Sequence, residues 1–110
     1  MAMIISSQAK SLMLNAIEIN MVSVHEGDTG ENGVDNEIGV ARQSCSFSNA
    51  VNGTRVLSAD VIFTIPTGKT VTHIAYWNDN QFLMSQSIDS LSYSAQGKLT
   101  LLATVTEVSI

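Results

Sequence analysis

Catalysis needs several reactive side chains brought together, and this sequence of 110 residues supplies few of them. Its reactive set is two histidines, His25 and His73, and one thiol, Cys45. A Cys–His nucleophile pair is the chemistry such a set allows, because the thiolate is the attacking species. Cys45, however, falls on the apolar face of an expected strand, where cysteine packs as a small hydrophobe. A zinc site of Cys45, His25, His73 and a carboxylate lacks paired short ligand spacing. Neither a phosphate-cradling Gly-x-x-x-x-Gly-Lys-Ser/Thr run nor a Gly-x-Ser-x-Gly elbow occurs. No catalytic residue, metal ligand or cofactor is assigned, and the chain is expected not to be an enzyme.

The acids are the other candidate chemistry. Glu26 to Gly39 holds four glycines and five acids in fourteen residues. Asp28, Glu31, Asp35 and Glu37 are of the type that surrounds a hard cation such as calcium. Their spacing departs from the Asp-x-Asp-x-Asp-Gly pattern, so a solvated polar loop is the expectation.

The elements that would position these residues are mostly strands. Ala9, Leu12, Met13, Ala16 and Ile17 recur at helical spacing, which predicts a leading helix over 6–19 with Ser6 or Ser7 as N-cap and Asn20 as its stop. Met21 to His25 reads as a short strand with Val22 and Val24 on one side. After the acidic loop, Val40 to Phe47 alternates, with Ala41, Cys45 and Phe47 on one face. Asn52-Gly53 is a tight-turn dipeptide, since both residues tolerate positive φ. Arg55 to Ile65 reads as one strand with Leu57, Ala59, Val61, Phe63 and Ile65 inward, ended by Pro66-Thr67-Gly68. Strands at Val71 to Trp77 and Phe82 to Ser87 flank an Asn78-Asp79-Asn80 turn. A last strand runs from Lys98 to about Val108, with Leu99, Leu101, Ala103 and Val105 inward. This pattern predicts one antiparallel β-sandwich or jelly-roll-like domain over 6–110, with one N-terminal amphipathic helix, preceded by an apolar arm at 1–5.

The totals restrict partners. Ten acids oppose five scattered bases, which excludes the basic patch that direct nucleic-acid binding requires. Charged residues are only 14% of the chain, and Ser, Thr, Asn and Gln take their place. Such a surface suits a protein packed against neighbours. A single cysteine permits no internal disulfide, and Met1 to Ile5 is too short for a signal peptide or membrane span, so synthesis in a cytoplasm and no membrane are expected. Met1, Met3, Ile4 and Ile5 are expected to tuck under their own domain or pair with another chain. Tyr76 and Trp77 lie on opposite faces of one strand. One of them is therefore expected in the core and Trp77 is the candidate interface anchor.

Several segments carry a resemblance in order and spacing. They are Val22-Ser23-Val24-His25-Glu26-Gly27-Asp28-Thr29-Gly30, Asn36-Glu37-Ile38-Gly39, and Val40-Ala41-Arg42-Gln43-Ser44-Cys45-Ser46-Phe47. Val61-Ile62-Phe63-Thr64-Ile65-Pro66-Thr67-Gly68 and Thr70-Val71-Thr72-His73-Ile74-Ala75-Tyr76-Trp77-Asn78 complete them. Over about residues 10 to 106 the chain resembles small phage virion proteins labelled tail-fibre-like or head-decoration proteins. Glu26 and Gly27 depart from that family's Thr/Ala-Asp-Pro loop start, and Val40 replaces an aromatic. The resemblance implies a structural role on the outer face of a capsid, with the major capsid protein as partner and self-association as a homo-oligomer. It also singles out Arg42 and Gln43, which either position the acidic loop or cross to a neighbouring subunit. A tail component (fibre, baseplate or adaptor) and a carbohydrate-binding module are the alternatives.

Overall fold

The computed structural model describes residues 3–109. Its first element is helix α1 (Ser7–Ala16), opened by Ser6, whose Oγ accepts from the Ala9 N–H at 3.0 Å. That bond satisfies one of the donors every helix start leaves unpaired. The helix stops short of the expected 6–19, because Ile17 turns extended and returns its N–H to the Leu14 carbonyl at 3.1 Å.

The docked face of α1 also differs from the expected one. Leu14 is its fully buried side chain, while Leu12 and Met13 are 65% and 43% exposed. Polar bonds set this rotation. Ser11 Oγ accepts from the Gly53 N–H (2.9 Å), and Asn15 Oδ1 accepts from the Ala50 N–H (2.8 Å). Arg55 donates to the carbonyls of Leu14 (3.2 Å) and Ile17 (2.8 Å) at the helix C-terminus, and to Ser48 (2.9 Å). A cation there meets the negative end of the helix dipole. The last turn of α1 has no basic residue of its own, so Arg55 supplies that charge from a distant strand.

The chain is mostly β and antiparallel. Eight strands follow: β1 (Met21–His25), β2 (Gln43–Ser44), β3 (Thr54–Val56), β4 (Val61–Ile65), β5 (Lys69–Asn78), β6 (Gln81–Tyr93), β7 (Gly97–Leu101) and β8 (Glu107–Ser109). They form a four-stranded sheet in the order β2-β1-β5-β6 and two ribbons, β3-β8 and β4-β7. One core joins all three, with Val22, Val24, Ile74 and Tyr76 from the large sheet meeting Leu57, Phe63, Ile65, Leu99, Leu101 and Val108 from the ribbons. Leu14 closes it from the helix.

Three expected strands are broken in the structure, each for a hydrogen-bonding reason. The Val40 to Phe47 run pairs regularly only at Gln43–Ser44. Arg55 to Ile65 divides because the chain changes partner. β3 pairs with β8, β4 pairs with β7, and between them Asp60 Oδ1 accepts from the Ala103 N–H at 2.7 Å. Ala59 is consequently exposed rather than inward. The Lys98 to Val108 run divides at the matching place, where Thr104 takes a φ of 65° and donates its N–H to the Leu57 carbonyl. Leu99 and Leu101 are buried as expected, whereas Val105 is exposed. The Asn52-Gly53 turn holds: both φ values are positive, at 52° and 75°.

Arg55 ties the helix end to the ribbon, so Arg55→Met keeps the aliphatic stem but removes the side-chain donor from the part-buried Ile17 and Ser48 carbonyls. Urea denaturation is expected to show a loss of roughly 2–3 kcal/mol. Amide exchange should locate the weakened region at α1.

Candidate functional site

The acidic loop does not stand in solvent; it folds back over the outer face of the large sheet. Glu26 N–H donates to the Asn36 carbonyl (2.8 Å) and Ile38 N–H to the Val24 carbonyl (2.9 Å), which closes the loop at its neck. Inside, Asp28 Oδ1 accepts from the Gly30 N–H (2.9 Å) and Asp35 N–H donates to the Thr29 carbonyl (3.0 Å). Gly33, at φ 78°, lies against the Phe82 ring so closely that an added Cβ would overlap it. Only glycine fits there, both for space and for backbone conformation.

Under this loop lies a buried polar chain. On β1, Val22 and Val24 face the core, and Ser23 and His25 face the loop. On β5, Trp77 shares that outer face. Its Nε1–H donates to Ser23 Oγ at 2.8 Å. Ser23 Oγ lies 2.7 Å from His25 Nε2, and His25 Nδ1 lies 2.9 Å from the Asp35 carbonyl. The indole can only donate and the carbonyl can only accept, which fixes the proton positions. Ser23 accepts from Trp77 and donates to Nε2, and the neutral imidazole donates its Nδ1–H to Asp35. An imidazolium would present Nε2–H to Ser23 and leave the serine proton without an acceptor in the chain.

The electrostatics agree with this assignment. Burial lowers the His25 pKa from its ordinary 6.5, and Arg42 and His73 act in the same direction. The Asp35 carbonyl and Glu37 oppose the shift without reversing it.

Arg42 completes the arrangement from the loop's far end. Its Nε and Nη2 donate to the two carboxylate oxygens of Glu37, both at 2.9 Å, and its guanidinium carbon sits 3.7 Å from the centre of the Trp77 ring. The fork thus ties the loop to the sheet's indole, and the bond to Glu37 raises the Arg42 pKa. Gln43 does not reach the loop; its Nε2 donates to the Ala41 carbonyl at 3.1 Å.

Trp77 is therefore not a surface anchor. Tyr76 and Trp77 are 1% and 2% exposed, and both are buried because each face of β5 is covered. Tyr76 packs edge-on against Phe47 in the main core, and Trp77 packs edge-on against Phe82 beneath the loop. Among the arm residues, Met3 is 84%, Ile4 93% and Ile5 38% exposed, while Met1 lies outside the described residues.

The remaining candidates stay apart. Cys45 packs beside the main core, on the opposite side of the sheet from His25, and burial pushes its pKa up to about 11. His73 is the cross-strand partner of His25, with its Nδ1 2.8 Å from Thr72 Oγ1. Among the loop acids, Glu26 pairs with Lys69 at 2.8 Å and Glu37 with Arg42. Among the described residues no group of three or more His, Cys, Asp or Glu is placed to hold a metal, and no helix is long and apolar enough to cross a membrane. A serine 2.7 Å from an imidazole is the spacing of a nucleophile and its base, but Ser23 and His25 are only 1% and 0% exposed. What the arrangement does chemically is hold a loop.

Comparison with family models, with curated proteins and with solved structures gives no match for this chain.

Two outcomes follow from this site. Because the folded His25 binds its proton less readily than the unfolded one, unfolding takes up protons below the ordinary value of 6.5. Stability contributed by the neutral imidazole is present above that pH and declines as pH falls below it. Guanidinium titrations between pH 7.5 and 5.5 should show this decline in the natural chain and a flatter profile in His25→Asn. The Cys45 thiol, with its pKa near 11, should react with iodoacetamide at pH 8 at least ~10-fold more slowly in the folded chain than in denaturant. Equal rates would return Cys45 to the list of reactive groups.

Proposed function

We propose that this chain is a non-enzymatic structural protein of a bacteriophage particle, most specifically a decoration (cement) protein on the outer face of the head. The observation that carries the reading is where the motif residues fall. His25, the loop from Asp28 to Gly39, Arg42 and Trp77, which carry the phage virion resemblance, converge on one buried arrangement whose work is to fix a surface loop. A motif that serves shape suits a protein used for its contacts.

The surface supports the same reading. Met3, Ile4, Ile5, Leu12 and Met13 all lie exposed near one end of the sequence, and Val51 is exposed on the turn bonded to α1. Exposed apolar residues mark contact surfaces where they join into one contiguous patch. The mechanism is geometric. One domain seated over the junction of capsid subunits buries surface on more than one of them and opposes their separation. Stable contacts bury ~1,200–2,000 Å² in total, and several on one assembly add through effective concentration. The partners are the major capsid protein and further copies of this chain, and the negative net charge of −5 keeps decorated particles apart.

Quantitative mass spectrometry of purified particles tests this directly. A copy number of the same order as the major capsid protein is expected. A few copies per particle would move the chain to the tail, as a fibre, baseplate or adaptor component. Absence from particles would overturn the virion role, and a glycan-array signal would then favour the carbohydrate-binding alternative.

A further inference from the structure

The fourth strand of the large sheet carries an open edge. β6 ends the order β2-β1-β5-β6, and among the described residues it pairs with β5 alone. Among the described residues no backbone group outside that ladder bonds to Gln81–Ser92. The strand contains one charge, Asp89, and neither lysine nor proline, the residues that ordinarily protect an edge from pairing. Two irregularities divide it. Leu83 is an extra residue opposite the Tyr76/Trp77 step, and Ile88 to Ser90 bulge opposite Thr72. Between them, Met84–Ser87 is regular, uncharged and four residues long.

Beside this stretch runs a groove of ≈ 520 Å³ between β6 and β8, with Tyr76, Met84 and Val108 as its apolar lining and Glu107 as its one charged residue. Bulges exclude the pairing of β6 along its whole length with another long strand. They leave a site for a short one.

The same chain carries a short apolar segment, ahead of α1, with the opposite need. Met3, Ile4 and Ile5 are apolar, with Met3 and Ile4 exposed and Ile5 38% exposed, and among the described residues no backbone hydrogen bond ties them to their own domain. A three-residue strand spans about 10 Å, enough to pair within the four regular residues of β6. Alternation along it would turn every second side chain toward the groove. Neither partner has a charge to desolvate along the paired stretch. Burying an Ile or Met side chain fully contributes roughly 1.5–3 kcal/mol.

We infer that two copies of this chain associate by strand exchange, with residues 3–5 of each added to the open edge of β6 at Met84–Ser87 of the other. Reciprocal exchange about a twofold axis is the closed form of such a contact, and it doubles the area that a single arm would bury. This deepens the self-association within the proposed function, and its readouts use purified protein without particles. Loss of the particle assignment and loss of this contact are therefore separately visible.

The test joins two measurements on the full chain. Sedimentation velocity is expected to give a dimer for the natural chain and half that mass for the chain lacking residues 2–5. A Cys45→Ser, Ile4→Cys chain mixed with a Cys45→Ser, Ser85→Cys chain is expected to give a disulfide-linked heterodimer on mild oxidation. Both chains retain the core, and a circular dichroism spectrum matching the natural one verifies their folding. A natural chain that sediments as a monomer at its highest soluble concentration would overturn the inference. So would an oligomer that survives removal of residues 2–5. If the two cysteines, placed in one chain, close within a monomer, the arm serves its own domain and the exchange is refuted.

Discussion

Everything on the outer face of the large sheet depends on one chain of hydrogen bonds, from the Trp77 indole through Ser23 and His25 to the Asp35 carbonyl. A sheet in a small antiparallel domain can leave its second face to water. Here that face carries an indole, a serine and an imidazole, and the loop from Glu26 to Gly39 covers them. The constraint works in both directions. Each buried polar atom has a partner only while the loop is closed, and the loop has a fixed path only because those atoms hold it. Such networks are costly when half satisfied and specify a single arrangement when complete. Among the described residues no buried side-chain nitrogen or oxygen lacks a partner.

The proton positions in this chain make it asymmetric in charge. A neutral imidazole fits every bond, and a charged one breaks the sequence at Ser23. The loop is thus held by neutral bonds beneath and by a charged fork at the rim, where Arg42 meets Glu37. The Arg42 and Glu37 side chains are 24% and 22% exposed, so solvent screens the pair, and its worth is on the order of 1 kcal/mol. The guanidinium contributes as much by lying on the Trp77 ring as by its charge. Arg42→Lys would keep the charge and lose the planar contact, which is why the two residues are not equivalent here.

Much of this was legible in the sequence, and the illegible part has a common physical cause. The alternation Val61, Phe63, Ile65 and the pair Leu99, Leu101 announced inward faces, and the Asn52-Gly53 turn announced itself by its need for positive φ. Alternation alone could not show that Arg55 to Ile65 changes partner at Leu57–Asp60, because both halves keep the same period while their hydrogen bonds go to different strands. The helix face was misread for a related reason. Leu12 and Met13 look like core residues by spacing, but Ser11, Asn15 and a distant Arg55 set the rotation through polar bonds that carry no period. The loop was hardest to read. Glycine and acid content suggest a solvated segment, yet Gly33 is there to pass under Phe82, and Asp35 contributes its backbone carbonyl, a group every residue type offers. A paired Ser23 and His25 at spacing two on one strand face is the available signal, and the apolar pair Val22 and Val24 masks it because the same strand equally reads as one apolar face.

The same bookkeeping of faces explains where the molecule remains open. Both faces of the large sheet are covered, one by the ribbons and one by the loop, and its first edge ends in the two-residue β2. Its other edge, β6, is thirteen residues long and is interrupted only by bulges. Bulges are a way to make an edge selective rather than inert: they disrupt register for a long strand and leave a short regular stretch between them. The fold places its histidines, its tryptophan and its acidic loop in internal bonds, and leaves the uncharged Met84–Ser87 stretch of its edge and several apolar residues outside.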